Sequence, residues 1–242
     1  MNINVFKTVH ELIGATADYF VKVAQESIAL RDEFNVVLSG GSSPEKLYKL
    51  LASPNYKQQV DWAKINFFFG DERHVPANDP ENNALMVKRT LFDPLNISAS
   101  KIFSINTSLS PIEAAKTYSE LITTHFKGQK VGFDLILLGL GDNSHTASLF
   151  PDTPVLAEKL ATVKSVFLKQ LNIYRITMTA PLINQATHIA FLVYGEAKAD
   201  AVKHVLEDRF DAEKYPAQLI HPEQGDLEWF LDETAASGLK KA

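Results

Sequence analysis

The chain contains 242 residues, of which 24 are basic and 29 are acidic, so its formal net charge is −5. This balance gives no basic surface field for nucleic acid or an anionic membrane, and we expect neither as a partner. Cysteine is absent, which excludes thiolate zinc ligands and thiol nucleophiles and leaves Ser, His, Asp, Glu, Lys and Arg to carry any chemistry.

The length suits one domain, because α/β domains of roughly 200–250 residues commonly fold as one unit. We therefore predict a single domain over residues 1–242. The sequence has no run of about 18 apolar residues, and it does not begin with a charged segment followed by an apolar one. We expect a cytoplasmic protein.

Helical and strand patterns alternate along the chain. Apolar residues at helical spacing predict a first helix between Val9 and Ile28, and a β-branched run predicts a strand at 34–38. The later predicted elements are a helix after Pro44, a strand at 65–69, a helix at 81–91, a strand at 101–105, a helix at 111–126, strands at 133–138, 163–168, 175–179 and 189–193, a helix at 198–207 and a last apolar run at 227–231. This order predicts an α/β fold, a Rossmann-like and mostly parallel open sheet with helices on both faces.

The first candidate site is the turn Ser39-Gly40-Gly41-Ser42, which follows the predicted strand 34–38. Paired glycines allow close backbone approach, and the helix that follows points free amides at the turn, as in a cradle for a phosphate or sugar hydroxyls. The segment lacks the lysine of a Walker loop and the spacing of a dinucleotide fingerprint. A tight turn that uses glycine only for its geometry is an equal alternative.

The second candidate site is the charged segment from Gly70 to His74, directly after the predicted strand 65–69. Asp71 and Arg73 are its candidate functional residues, and a guanidinium at this place is suited to bind a substrate oxygen. A surface turn with solvated charges is the alternative interpretation. The position behind a buried strand favours function, since open parallel sheets bind ligands at the carboxyl ends of their strands.

The third candidate site contains His145, within the glycine-rich segment that follows the apolar strand 133–138. A histidine between small and polar residues at the end of a strand is typical of a catalytic loop on a rigid scaffold. His74 and His221 are weaker candidates by the same reasoning. Arg175 and Lys198 begin two later elements, and we expect them to bind the anionic end of one ligand.

Six motifs in a fixed order carry a family resemblance. They are SGGSSP at 39–44, GDER with ENN at 70–83, GLGDNSHTASLFP at 139–151, RITMTAP at 175–181, GEAKA at 195–199 and LIHPEQG at 219–225. Together they resemble the 6-phosphogluconolactonases, carboxylic ester hydrolases of the oxidative pentose phosphate pathway, over nearly the whole chain. The resemblance implies a sugar-phosphate lactone as substrate, no cofactor, no metal, and a monomer or a small homo-oligomer.

The same superfamily includes glucosamine-6-phosphate deaminases, which are the first alternative. Deaminases carry a glutamate a few residues after the motif histidine, and this chain has Phe150 there. The arginine at position 73 also resembles the lactonase motif, since deaminases usually have an aromatic residue at this position. A sugar-phosphate sensor without catalysis is a second alternative, but it would need a DNA-binding module for which this sequence shows no helix-turn-helix pattern.

The resemblance implies a role for each candidate residue. His145 is the expected general base, Arg73 polarises the lactone carbonyl or stabilises the oxyanion, and Asp71 positions Arg73 or substrate hydroxyls. The family motif has an aspartate two residues before the histidine, where this chain has Asn143. Asn143 can hydrogen-bond the ring or the substrate, and the neighbouring Asp142 is an alternative source of charge whose orientation the sequence leaves open. The phosphate is expected to bind to Ser39, Gly40, Gly41, Ser42, Arg175 and Lys198.

Overall fold

The computed structural model describes residues 1–240, which form two β-sheets and seven α-helices. The strands are β1 (Asn2–Phe6), β2 (Phe34–Leu38), β3 (Ile65–Phe69), β4 (Asp71–Arg73), β5 (Leu135–Leu138), β6 (Val163–Leu168), β7 (Ile173–Met178), β8 (His188–Val193) and β9 (Asp226–Asp232). The helices are α1 (Val9–Arg31), α2 (Ser42–Leu51), α3 (Asn83–Val87), α4 (Asp93–Leu95), α5 (Pro111–His125), α6 (Ala180–Ile183) and α7 (Ala199–Glu207).

The larger sheet has six strands in the order β1-β9-β8-β5-β2-β3, and every pairing in it is parallel. Five of its strands, β2, β3, β5, β8 and β9, are almost wholly buried, as expected for a sheet covered on both faces. The predicted α/β class and the mostly parallel sheet are therefore confirmed. The division of residues 1–242 into one domain stays a prediction.

Strand β3 shows how both faces of the sheet are covered. Successive side chains of a strand point to opposite faces. Phe67 packs on Phe92 with ring centroids 5.0 Å apart, whereas Phe68 packs on Phe103 at 4.6 Å and on His125 of α5 at 5.0 Å. The segment around Phe92 and helix α5 therefore cover opposite faces of the sheet.

The smaller sheet is antiparallel and has the order β4-β7-β6. Residues 163–168 and 175–179 were predicted to be strands, and they form β6 and most of β7. They lie outside the parallel sheet, because β7 pairs with β6 and with the three-residue strand β4 that follows β3. The small sheet thus places Arg73 opposite Arg175 in the register of β4 and β7.

Two other local predictions need correction, and one strand was missed. Residues 101–105 do not form a strand, and only Ile102 makes an isolated bridge with Phe67. The helix predicted at 81–91 begins at Asn83 and passes into a π-helical segment, Lys88–Phe92, because Asn82 caps its first turn by accepting a bond from the Leu85 amide at 2.9 Å. Strand β1 was not predicted. Within residues 1–240, no helix is long and apolar enough to cross a membrane.

Candidate active site

A cleft of about 260 Å³ opens at the carboxyl ends of the central parallel strands. It is bounded by the loops that follow β2, β5 and β8 and by the small sheet beyond β3. All of the predicted site residues except Asn143 line it, namely Ser39, Gly40, Gly41, Ser42, Asp71, Arg73, His145, Arg175 and Lys198. The structure therefore brings together residues that lie up to 159 positions apart in the sequence, from Ser39 to Lys198.

The turn after β2 leads directly into α2. Gly41 has a φ of 105°, in the region that favours glycine, and it precedes the first residue of α2. No side chain caps this helix, so its first amides face the cleft end of the turn. Within this turn, Ser39 Oγ donates to the Leu137 carbonyl at 2.5 Å, and the Ser39 backbone bonds to the Tyr48 hydroxyl. Ser39 thus holds the turn in position.

Gly40 is needed because of a residue on another loop. A Cβ at position 40 would lie 1.8 Å from Oδ1 of Asn83. The buried Asn83 amide is held from the other side, since its Nδ2 donates to the Asp71 carbonyl at 3.0 Å. Its Oδ1 has no hydrogen-bond partner. The turn after β2 and the segment after β3 therefore fit together only with a glycine at position 40.

Asp71 and His145 are connected through Ser148. The Ser148 hydroxyl donates to Oδ2 of Asp71 at 2.5 Å, and the Ser148 amide donates to Thr177 Oγ1 at 3.2 Å. Both Asp71 and Ser148 are buried. Ser148 lies three residues after His145, so this bond fixes the histidine loop against the small sheet.

Arg73 and Arg175 bring two positive charges to one wall of the cleft. They are opposite each other on β4 and β7, and the Nε atom of Arg175 has no hydrogen-bond partner. Burial, and then the charge of Arg73, lower the pKa of Arg175. The guanidinium of Arg73 is held at one side, where Nη1 donates to the Glu81 carbonyl at 2.7 Å. Two adjacent cations of this kind are suited to an anionic ligand.

Lys198 adds a third cation from the loop after β8. Its side chain is 26% exposed and forms an ion pair with Asp142, which is 71% exposed. Gly195, with a φ of 96°, allows the sharp turn before it, and the Gly195 amide donates to Asp232 Oδ1 at 3.0 Å. The sequence left the orientation of Asp142 open. In the structure its carboxylate binds Lys198.

Asn143 orients the imidazole of His145. Oδ1 of Asn143 lies 2.5 Å from Nδ1 of His145 and 3.4 Å from the His145 backbone nitrogen. Because the backbone N–H can only donate, the amide oxygen faces the histidine, and Nδ1 carries the proton. Nε2 is then left with its lone pair. A neutral amide therefore fixes the same tautomer that a carboxylate would fix.

The ring of Phe150 covers one face of the imidazole. The two ring centroids are 3.9 Å apart and the planes differ by 17°. Burial is the largest effect on the pKa of His145 and lowers it to about 4, and the positive charges of Lys198, Arg175 and Arg73 act in the same direction. The imidazole is consequently neutral at physiological pH.

The backbone around His145 is tightly constrained. A Cβ at Gly141 would lie 2.0 Å from Nδ1 of His145, so this position has room only for glycine. The Gly141 amide donates to the His145 carbonyl at 2.8 Å. Ser144 and Ala147 both have positive φ, 60° and 48°, which is unusual for residues with a side chain. Non-glycine residues held in this region are typical of functional loops.

Three of the cleft residues that were not among the predicted site residues make contacts described above: Asn83, Ser148 and Phe150. In the sequence, Asn83 was noted only as part of the ENN motif and received no role. Phe150 was noted only because it occupies the place of the deaminase glutamate. Ser148 carried no signal of its own. The weaker candidates do not line this cleft: His74 Nε2 lies 2.8 Å from the Leu109 carbonyl, and His221 is exposed. Within the described part of the chain, no group of three His, Asp or Glu side chains could hold a metal ion.

A family model described as glucosamine-6-phosphate isomerases/6-phosphogluconolactonase matches residues 7–229. The 6-phosphogluconolactonase of a Synechocystis species is 39% identical over 221 residues, which cover 89% of this chain and 88% of that protein. The 6-phosphogluconolactonase of Haemophilus influenzae is 37% identical over 236 residues and covers 97% of this chain and 98% of its own.

Solved structures give the same result at the level of the fold. The 6-phosphogluconolactonase of Trypanosoma brucei superposes with a TM-score of 0.87 at 27% identity, over 99% of this chain and 98% of that one. A monomeric glucosamine-6-phosphate deaminase superposes with a TM-score of 0.83 at 22% identity, over 99% of this chain and 100% of that one. The second likeness extends to the fold alone.

Proposed function

The chain belongs to the glucosamine-6-phosphate isomerase/6-phosphogluconolactonase family, and from this premise we propose that it hydrolyses 6-phospho-D-glucono-1,5-lactone to 6-phospho-D-gluconate. One observation carries the proposal beyond the family. A neutral imidazole with a free Nε2 faces a cleft that also contains three cationic side chains, Arg73, Arg175 and Lys198. Lactone hydrolysis needs a base for water and positive charge for both an oxyanion and a phosphate.

His145 acts as the general base in this proposal. Nε2 takes a proton from a water molecule as the water oxygen bonds to the lactone carbonyl carbon, and the carbonyl oxygen becomes an oxyanion. The tetrahedral intermediate then collapses by breaking the bond between that carbon and the ring oxygen. The imidazolium returns its proton to the leaving ring oxygen, so Nε2 ends neutral and the product leaves as a hydroxy acid.

Arg73 stabilises the oxyanion. Its position on β4 next to the buried Asp71 supports this role, because Asp71 is held by Ser148 on the histidine loop. This hydrogen bond links the loop that carries His145 to the strand β4 that carries Arg73. Asp71 positions Arg73 and is also available to accept a bond from a substrate hydroxyl.

The phosphate binds between the start of α2 and the cations Arg175 and Lys198. The uncapped amides after Gly41 and the Ser42 hydroxyl supply donors, and the two side chains supply charge. A bound phosphate neutralises part of the positive charge that lowers the pKa of His145. We therefore expect the imidazole to be a stronger base in the complex than in the free enzyme.

Deamination of glucosamine 6-phosphate is the alternative activity, and Phe150 argues against it. The position where the deaminases carry a glutamate holds a ring that stacks on His145. An aromatic ring cannot exchange protons with an amine or a ring oxygen. The scheme for the lactone assigns every step to side chains of this chain and uses no cofactor.

A competition between substrates tests the proposal. Freshly prepared 6-phosphogluconolactone and glucosamine 6-phosphate are supplied separately, and 6-phosphogluconate and fructose 6-phosphate are measured with coupling dehydrogenases. We expect the lactone to be consumed far faster than in a blank without enzyme, since the lactone also hydrolyses spontaneously. Equal rates with and without enzyme would contradict the proposal, and turnover of the amino sugar would replace it with deamination. A cytoplasmic location and a monomer or small homo-oligomer remain predictions.

A further inference from the structure

Glu72 is a buried carboxyl group that the proposed mechanism does not use. It lies on β4 between Asp71 and Arg73 and is 1% exposed. Successive side chains of a strand point to opposite faces, so Glu72 points away from the cleft that its two neighbours line. A carboxyl group is costly to bury unless its oxygens are hydrogen-bonded.

Three backbone amides bind the Glu72 carboxylate. Oε1 accepts from the Arg73 amide at 2.8 Å and from the Asn83 amide at 2.7 Å, and Oε2 accepts from the Ala84 amide at 2.9 Å. These bonds join β4 to the first turn of α3. The Glu72 side chain thus bonds both ends of the loop of residues 74–82.

Two further bonds cross the base of the same loop. Asn83 Nδ2 donates to the Asp71 carbonyl at 3.0 Å, and Arg73 Nη1 donates to the Glu81 carbonyl at 2.7 Å. The placement of the Arg73 guanidinium, which binds Glu81 just before α3, therefore depends on where Glu72 holds the start of α3.

We propose that Glu72 is a positioning residue for Arg73. By binding the backbone amides of Arg73, Asn83 and Ala84 together, Glu72 holds the Arg73 guanidinium where the oxyanion forms. Glu72 does not contact the substrate, and it acts through the loop that carries Glu81. This inference rests on the proposed lactonase function, because it assigns Glu72 an effect on a step of that reaction.

The role requires a carboxylate. An ionised carboxylate only accepts hydrogen bonds, whereas a glutamine amide in its place would turn donor hydrogens toward at least one of the three backbone amides. Burial raises the pKa of Glu72 to about 7, the charge of Asp71 acts in the same direction, and the three amide bonds oppose it. Tyr118 of α5 and Arg175 of β7 are the other ionisable groups that face it.

The test compares Glu72→Gln with Asp134→Asn. Asp134 is also buried and also accepts from a backbone amide, that of Asn35 at 2.7 Å, but it lies at the opposite end of the sheet. We expect Glu72→Gln to lower kcat by about 10- to 100-fold with little change in KM. A small displacement of Arg73 reduces the stabilisation of the transition state and leaves the phosphate site intact. Asp134→Asn should lower the melting temperature without changing kcat.

A double mutant separates positioning from general damage. In an Arg73→Ala background, Glu72→Gln should cost little further in kcat, since the residue through which it acts is gone. The same loss in kcat in both backgrounds would overturn the inference and leave the lactonase function standing. A wild-type enzyme with no rate above the spontaneous reaction would overturn both.

A measurement on the wild-type protein covers the case in which Glu72→Gln does not fold. The amide resonances of Arg73, Asn83 and Ala84 are followed by NMR between pH 5 and about pH 9, a range that spans the raised pKa of Glu72. We expect the three resonances to shift with one common midpoint near pH 7. Three unrelated midpoints would overturn the inference.

Discussion

The two ends of the six-stranded sheet treat polar side chains in opposite ways. At the amino end, Asp134 binds Arg31 and the Asn35 amide, and Asn35 Oδ1 accepts bonds from Asn66 at 3.0 Å and from His125 at 2.7 Å. At the carboxyl end, Arg175 Nε and Asn83 Oδ1 have no partner. The two ends belong to the same buried strands, and both ends contain buried polar groups. Buried polar groups alone therefore do not indicate a functional site.

The difference lies in whether the chain itself satisfies its polar groups. Hydrogen-bonded networks inside a protein add rigidity, and unpaired buried groups cost free energy that a ligand can recover. At the carboxyl end, three cations face one cleft. Lys198 pairs with Asp142 of a different loop, whereas the carboxylate that pairs with Arg73 is that of Glu81, in the segment that directly follows β4. We infer that the carboxyl end is built to be completed by an anion and the amino end to hold the sheet together.

Histidine substitutions at the two ends give the largest expected contrast. His145→Ala should lower kcat/KM by about 10²- to 10⁴-fold, the usual contribution of a general base. His125→Ala at the amino end should leave kcat/KM unchanged and lower the free energy of unfolding by about 1–3 kcal/mol, as loss of a partly buried hydrogen bond does. Steady-state assays and denaturant unfolding of both variants measure the contrast. An undiminished rate in His145→Ala would remove this residue from the mechanism.

Arginine substitutions form the second pair. Arg175→Met should raise KM by about 10- to 100-fold with a smaller change in kcat, because a charge-assisted bond to the phosphate is lost. Arg31→Met should lower the melting temperature, since it leaves the buried Asp134 without its cation, and KM should not change. A similar KM for the two variants would contradict the division between the ends.

Asn143 allows a smaller test of how the imidazole is held. Asn143→Ala should lower kcat by about tenfold, the effect of losing one neutral hydrogen bond that fixes the tautomer. Asn143→Asp should retain most of the activity, because a carboxylate oxygen accepts the same bond from Nδ1. If Asn143→Ala and Asn143→Asp lost the same activity, the side-chain contact with Nδ1 would not explain why kcat depends on residue 143.

The smallest expected effect is a shift in titration. Burial and the charges of Lys198 and Arg175 lower the pKa of His145 to about 4, so removal of one cation raises it. Lys198→Met should therefore move the midpoint of the His145 ring resonances to higher pH. His125, whose pKa is lowered by its own burial at the other end, should not move. NMR titration of both rings in the two proteins measures this, and equal shifts would show a global change instead.

The main sheet was predictable because its central strands are short apolar runs, such as Ile65–Phe69, each followed by a turn. The small sheet was not. Strand β4 consists of Asp71, Glu72 and Arg73, a charged sequence with no strand preference, and its conformation comes from pairing with β7 about a hundred residues later. Strand β1 was missed because it is a short edge strand that is mostly exposed.

The candidate site was predictable to the extent that its residues follow strands. His145, Arg73 and Lys198 were found by this rule alone. The supporting contacts could not be found in the same way, since the bond between Ser148 and Asp71 joins residues 77 positions apart and neither residue type announces it. Ser39 shows the same limit, because the sequence singled it out as a phosphate ligand but gave no sign that its hydroxyl donates to the Leu137 carbonyl.

The close fit of Gly40 against Asn83 has a consequence for how this family can change over time. A side chain at position 40 would collide with the side-chain amide of Asn83, whose Nδ2 donates to the Asp71 carbonyl and whose backbone nitrogen donates to Glu72. The first substitution at either position therefore meets a penalty that the second removes. We expect the residues at positions 40 and 83 to be inherited as a pair, with any larger residue at 40 accompanied by a smaller one at 83, although 43 positions separate them in the sequence.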